Sequence, residues 1–240
     1  NNDIFALVSK GEYSMGTYER YVTARSHVEQ FIKLKYKVDD LEFRQLNYEF
    51  IQDYDFFLRT VRNCQNNSTV KYIANFKKII FRAISKDIIT TDPFKAFKVK
   101  KIAIKKTPLS SQELFTLENK VFDSDRLNEV RDIFVFQCYT GLAYIDVKQL
   151  NKNEIKIGID DKTWIVSNRQ KTGSCTTIPL LSKAIEILEK YKEHPLCLKS
   201  NLLLPVKSNQ KMNEYLKEIA TLCQIDDNLT THKARRTFGS

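Results

Sequence analysis

Apolar residues in the first hundred positions recur at steps of three and four. That period specifies helices packed against one another and leaves little room for strands. Tyr21, Ala24, Val28 and Phe31 form one stripe. Phe50, Tyr54, Phe57 and Leu58 form a second, and Ile73, Phe76, Ile80 and Ile84 a third. Start signals agree with the stripes. Ser14 or Thr17 opens a helix to about residue 36, a second covers about 47–62, and Ser68 starts a third after the turn-like "NNST". Gly and Pro, at 6 and 5 in 240 residues, are too scarce to interrupt these runs. Residues 1–98 thus read as a helical bundle.

The third helix carries a second, cationic stripe. Lys71, Asn75, Lys78, Arg82 and Lys86 follow at spacings of four, three, four and four. At roughly 100° per residue this row faces away from the apolar side. No Glu is mixed into it. Asp92-Pro93 then stops the helix, and a lysine-rich run follows that includes Lys100, Lys101, Lys105 and Lys106. Residues 71–106 hold eleven Lys or Arg against Asp87 and Asp92, a charge of +9 out of the chain's +10. Charge concentrated in this way suits a polyanion partner. A solvated lysine-rich face is the alternative. The segment 99–108 reads as a basic linker. A merely flexible tether would use Gly and Ser instead.

Residues 109–240 change character. Ser110 and Glu113 have capping-box spacing and open a short helix. "DSDRLNEVRDIFVFQCYT" is a second helix that ends at Gly141. "EIKIGI", "KTWIVSN" and "CTTIPL" are short strand-like runs joined by turn residues, which predicts a small antiparallel sheet with Trp164, Ile165 and Val166 in the core. "SKAIEILEKYKE" and "NQKMNEYLKEIATLCQ" are helical, and Thr230 or Thr231 caps a last helix. The fold class is therefore mainly α, with a helical-bundle domain followed by an α+β domain containing a small antiparallel sheet.

Several classes of function are disfavoured. The five cysteines are odd in number and none has C-x-x-C spacing, which argues against a disulfide framework and a zinc site. The three histidines stand apart, so no metal centre is expected. His27 and His194 read as structural or exposed. No apolar run is long enough to span a membrane, and the N-terminus lacks a signal-peptide layout.

Three stretches carry chemistry together: "YTGLAYIDVKQL", "NRQKTGSCTTIPL" and "TTHKARRTF". Each is weak alone. In this order, behind a helical basic segment, they resemble the tyrosine recombinase (phage-integrase) family, and as a set they are similar to integrases of Bacteroides-type mobile elements. The resemblance covers essentially the whole chain. It implies a SAM-like core-binding domain at 1–98 and a catalytic domain at 109–240. It implies site-specific cutting and rejoining of DNA through a 3′-phosphotyrosine, with no cofactor and no metal. The implied partner is double-stranded DNA, held in a clamp of two domains. The implied location is the bacterial cytoplasm, at the nucleoid, with no membrane association. The full-length protein is expected to be a homotetramer on DNA, and this chain alone a monomer.

Carried over residue by residue, the resemblance makes Arg235 a phosphate clamp, His232 a donor to a phosphate oxygen and Lys171 the general acid at a hairpin tip. Asp146 matches an acidic position that orients a cationic catalytic residue. The chemistry is coherent, because a phosphodiester attacked without metal needs cations and donors around the developing charge, and guanidinium groups grip two oxygens at once. One departure is large: the arginine that usually follows T-G-L is Ala143 here. Arg169 is the candidate replacement, two residues before Lys171 and so on the same side if the strand continues. Thr172 is a further candidate phosphate contact, as is Arg236, for which a surface salt bridge is the alternative. Lys71, Lys78, Arg82, Lys86 and the four linker lysines are the candidate DNA-backbone contacts. The family's nucleophilic tyrosine follows H-x-x-R, yet no tyrosine lies beyond Tyr215. The expectation is a fragment that holds a phosphodiester without cutting it. Two other classes stay open: a non-catalytic DNA-binding regulator, favoured by Ala143, and an RNA-binding helical protein that needs only the basic stripe.

Overall fold

The three apolar stripes of the first hundred residues become three helices, preceded by a short one the stripes do not include, in a computed structural model, which describes residues 2–105, 107–170, 172–225 and 228–239. These helices are α1 (Asn2–Ser9), α2 (Met15–Tyr36), α3 (Tyr48–Thr60) and α4 (Asn66–Ile84). They form the first of two compact units, Asn1–Ile104 and Lys105–Ser240. Each stripe supplies the core. Phe31, Phe50, Tyr54, Phe57, Leu58, Ile73 and Ile80 are buried, with Phe94 from the following segment. Phe31 meets Phe50 edge-on at 5.1 Å, and Phe76 bridges Tyr54 and Phe94 at 5.6 and 5.9 Å. Aromatic pairs in such arrangements add to the area they bury.

Two boundaries differ from expectation. Helix α4 begins at Asn66, so "NNST" is its first turn rather than a loop. It stops at Ile84, which leaves Lys86 beyond the helix. The cause is a helix-ending motif. Asp87 adopts φ +56, and the Ile88 N–H donates to the Ala83 carbonyl at 3.0 Å. A left-handed residue closes the last carbonyls and turns the chain away.

The second unit contains α5 (Ser111–Asn119), α6 (Asp125–Thr140), α7 (Tyr144–Gln149), β1 (Ile155–Ile157), β2 (Thr163–Asn168), β3 (Cys175–Pro179), α8 (Ser182–Lys190), α9 (Pro195–Ser200), α10 (Asn209–Leu222) and α11 (Thr231–Phe238). The Ser110–Glu113 capping box forms as expected. Helix α6 is the centre. It is buried from Val130 to Cys138 without a break, and α5, α8, α10 and α11 pack around it. A helix buried on all sides must sit inside. Its charged pair is satisfied there. Arg131 donates to the Leu117 carbonyl at the end of α5, and Asp132 accepts from Lys190 and Tyr191 at 2.7 and 2.8 Å.

The sheet is antiparallel in the order β1-β2-β3. Ile165 pairs with both Ile155 and Ile178 and is fully buried. Its neighbours differ from expectation. Val166 is exposed, and half-buried Trp164 donates its indole N–H to Asp160. With period two, only one of three consecutive strand residues faces the core here.

Candidate active site and basic surface

The three motifs meet at the junction of α6 and α7. Gly141 ends α6 at φ +65. A Cβ there would lie 2.4 Å from Cδ1 of Phe238, so the ring of the last turn of α11 sits directly on the glycine. This contact ties T-G-L to the H-x-x-R helix. Two residues beyond Gly141, Ala143 starts α7 in extended backbone. Asp146, in the first turn of α7, is buried and accepts the Gln170 N–H at 3.1 Å. That bond ties α7 to the tip of the β2–β3 hairpin, between Arg169 and Lys171 in the chain.

The hairpin is closed by the Arg169 N–H donating to Ser174 and the Gly173 N–H donating back to Arg169, at 2.9 and 2.8 Å. Gly173 has φ +67 with open space around it, so its backbone conformation and not crowding calls for glycine. Strand β2 stops at Asn168. The alternation expected to place Arg169 and Lys171 on one face therefore does not reach Arg169, which follows the strand's end. Lys171 lies outside the described residues. Exposed Thr172 accepts from Ser174 Oγ at 3.0 Å, which rigidifies the tip.

Helix α11 is started by its neighbour rather than by itself. Thr230 makes no side-chain cap bond. Instead Asn213 of α10 accepts the Thr231 N–H at 3.0 Å, and Asn209 accepts the Thr231 hydroxyl at 3.2 Å. Thr231, Lys233 and Ala234 are buried, while His232 is exposed and Arg235 and Arg236 are half-buried. His232 and Arg235, one turn apart, share a side.

The partners of the arginines separate this site from the rest of the chain. Arg25, Arg44, Arg59, Arg82, Arg126 and Arg131 are each ion-paired to a carboxylate. Arg20 donates to the Gly16 carbonyl, and Arg62 lies against the His27 ring nitrogen. Arg20 and Arg62 thus lack a carboxylate but are hydrogen-bonded, whereas among the described residues Arg169, Arg235 and Arg236 have neither a carboxylate bridge nor a side-chain hydrogen bond. Half-buried guanidinium groups without an internal anion are suited to an external one.

The first unit offers the basic surface. Lys71 and Lys78 are exposed on α4, as are Lys86, Lys100 and Lys101 beyond it, and Lys105 is exposed where the second unit begins. Lys106 lies outside the described residues. The row on α4 is less purely cationic than its own sequence. Asp3, carried by α1, pairs with Arg82 at 2.6 Å. Both partners are more than half exposed, so the pair is weak and can be exchanged for a phosphate. Lys77, which the stripe omits, lies over the Phe81 and Phe94 rings at 4.9 and 5.4 Å. Asn66 and Asn67 were also missed as functional candidates. Two asparagines at a helix start were the available signal.

The histidines outside the motifs have structural roles. His27 is buried against Tyr72 beside Arg62, and burial together with that cation lowers its pKa. His194 caps α9 by accepting the Leu196 N–H. Among the described residues no group of His, Cys, Asp and Glu could hold a metal ion, and no helix is long and apolar enough to cross a membrane.

Residues 4–100 match the phage integrase SAM-like domain family. No curated protein matches the chain. Among solved structures, a lambda integrase dimer bound to a COC′ core site superposes with TM-score 0.76 at 14% identity, over 99% of this chain and 86% of that one. A lambda integrase tetramer bound to a Holliday junction gives 0.74 at 15% identity, over 97% and 68%. The Tn1549 transposon integrase in complex with a circular intermediate DNA gives 0.71 at 12% identity, over 98% and 83%. At such identities the likeness is one of fold: a SAM-like helical domain followed by a mixed domain with a small antiparallel sheet.

Proposed function

We propose that this chain is the core-binding segment and part of the catalytic segment of a site-specific DNA recombinase of the tyrosine type, serving a mobile element of the Bacteroides kind. The observation that carries the reading is the trio Arg169, Arg235 and Arg236. These arginines lack internal carboxylate partners and stand on elements that Asp146–Gln170 and Gly141–Phe238 tie to one junction. A scissile phosphate there would be gripped by Arg235 and Arg169, with His232 donating to an oxygen. Arg236 and Thr172 would hold neighbouring phosphates. In this scheme a tyrosine hydroxyl loses its proton to solvent as its oxygen attacks phosphorus, and the bond to the 5′ oxygen breaks. Lys171 gives that oxygen its proton, leaving a 3′-phosphotyrosine and a free 5′-hydroxyl. Asp146 acts by holding the hairpin that carries Arg169 and Lys171. The first unit would grip duplex phosphates through Lys71, Lys78, Arg82, Lys86, Lys100 and Lys101, with Lys105 and Lys106 following it in the chain. No cofactor enters this scheme. The working assembly is a tetramer on duplex DNA in a bacterial cytoplasm, and this chain alone is a monomer.

The test is covalent trapping of the longer gene product on a nicked suicide duplex. Wild type should yield a protein–DNA adduct that a Lys171→Ala, Arg235→Ala double variant does not. An undiminished adduct in that variant would falsify the assigned roles. Ala143 favours a second reading, a DNA-binding regulator on the same fold. Duplex binding by the longer gene product without any adduct would select it.

A further inference from the structure

We infer that Asn67 is a positioning residue that presets the basic segment 98–102 for duplex DNA. The inference rests on the DNA-binding reading of the first unit. Asn66 and Asn67 are the first two residues of α4, just after the N-cap Gln65, which makes no side-chain cap bond. Here they turn to another part of the chain. The Asn67 Oδ1 accepts the Ile102 N–H at 2.9 Å, and its Nδ2 donates to the Ile102 carbonyl at 2.8 Å. One amide thus satisfies both backbone groups of one residue, as a neighbouring strand would. Asn66 donates to the Lys100 carbonyl at 3.0 Å. It is itself held by Arg59 at 3.1 Å, which is ion-paired to Asp55 at 2.8 Å.

Among the described residues these three bonds are the hydrogen bonds that hold the backbone of 98–102. The side chains it carries are left to solvent. Lys98, Lys100, Lys101 and Ile102 are exposed, and among the described residues none of these lysines has a carboxylate partner. An exposed stretch with no regular structure would otherwise sample many conformations, and ordering it on DNA would cost binding free energy. The asparagine anchors meet that ordering cost in the free protein.

The experiment measures duplex affinity of the full chain by fluorescence anisotropy, using a labelled random-sequence duplex across a salt series. Asn67→Ala should weaken binding about tenfold at low salt, the order expected for releasing a few backbone residues. Ile102→Pro removes the N–H on the other side of the anchor and should do the same. Melting temperature checks that both variants fold. In a Lys100→Ala, Lys101→Ala background, Asn67→Ala should change affinity less than about twofold, since coupled residues are non-additive. Equal affinity of Asn67→Ala and wild type overturns the inference while leaving the DNA-binding reading intact. So does an undiminished effect in the lysine-free background. A wild-type chain that binds no duplex overturns both.

Discussion

Gly141→Ala tests whether the contact between α6 and α11 organises the second unit. Two costs follow from the structure. Alanine at φ +65 is left-handed backbone, worth about 1–2 kcal/mol. The new methyl would also stand 2.4 Å from the Phe238 ring, which must move. Phe238 is 50% exposed, so displacing it forfeits about half of a buried phenylalanine, roughly 1 kcal/mol. The sum is about 2–3 kcal/mol. The two parts separate in a Phe238→Ala background, where only the backbone cost of about 1–2 kcal/mol should remain. Trp164, the sole tryptophan, lies in β2, so urea unfolding followed by tryptophan fluorescence reports on the second unit by itself. Equal destabilisation in both backgrounds would show that the ring does not press on Gly141. Absence of any cost would refute the conformational argument as well.

Three further outcomes follow. Asp146→Ala should remove the bond to the Gln170 N–H and raise hydrogen exchange at that amide about tenfold or more, as expected for losing a bond worth about 1.5–3 kcal/mol, measured by NMR. Lys71→Ala with Lys78→Ala should weaken duplex binding at every sequence and reduce the log–log salt slope by about 0.9 for each phosphate no longer neutralised. The folded-state pKa of His27 is depressed below 6.5 by burial and by Arg62. Its contribution to stability is therefore full above pH 6.5 and lost as pH falls through the lower folded value. Denaturation midpoints across that window should drop in wild type, and the drop should shrink in His27→Gln.

The parts of the fold visible in the sequence are those written in local signals. The Ser110–Glu113 box, the Gly141 helix end and the three apolar stripes are decided within a few residues, where the backbone's own hydrogen-bond needs dominate. The three motifs can be picked out because each sits at an element end with its own turn chemistry. What fails is what depends on a distant partner or on the exact end of an element. Lys86 keeps the spacing of the cationic row although the helix ends at Ile84. Arg169 and Lys171 have a strand's alternation in the sequence although the strand ends at Asn168. Asp3 cannot be seen beside Arg82, nor Asn213 at the start of α11, because each pair is separated by many residues in the chain.

By itself, then, the order of residues determined the longer elements, their class and the cationic composition of residues 71–106, but not the short helices α1, α7 and α9. Only the tertiary structure decided which arginines are left without carboxylates, that Phe238 seats on Gly141, and that Asn66 and Asn67 serve the chain at 100–102 instead of their own helix. The physical reason is range. Helix caps and periodic burial are set by neighbours a turn away, whereas the pairing of a charge or an amide depends on which surfaces close packing brings together.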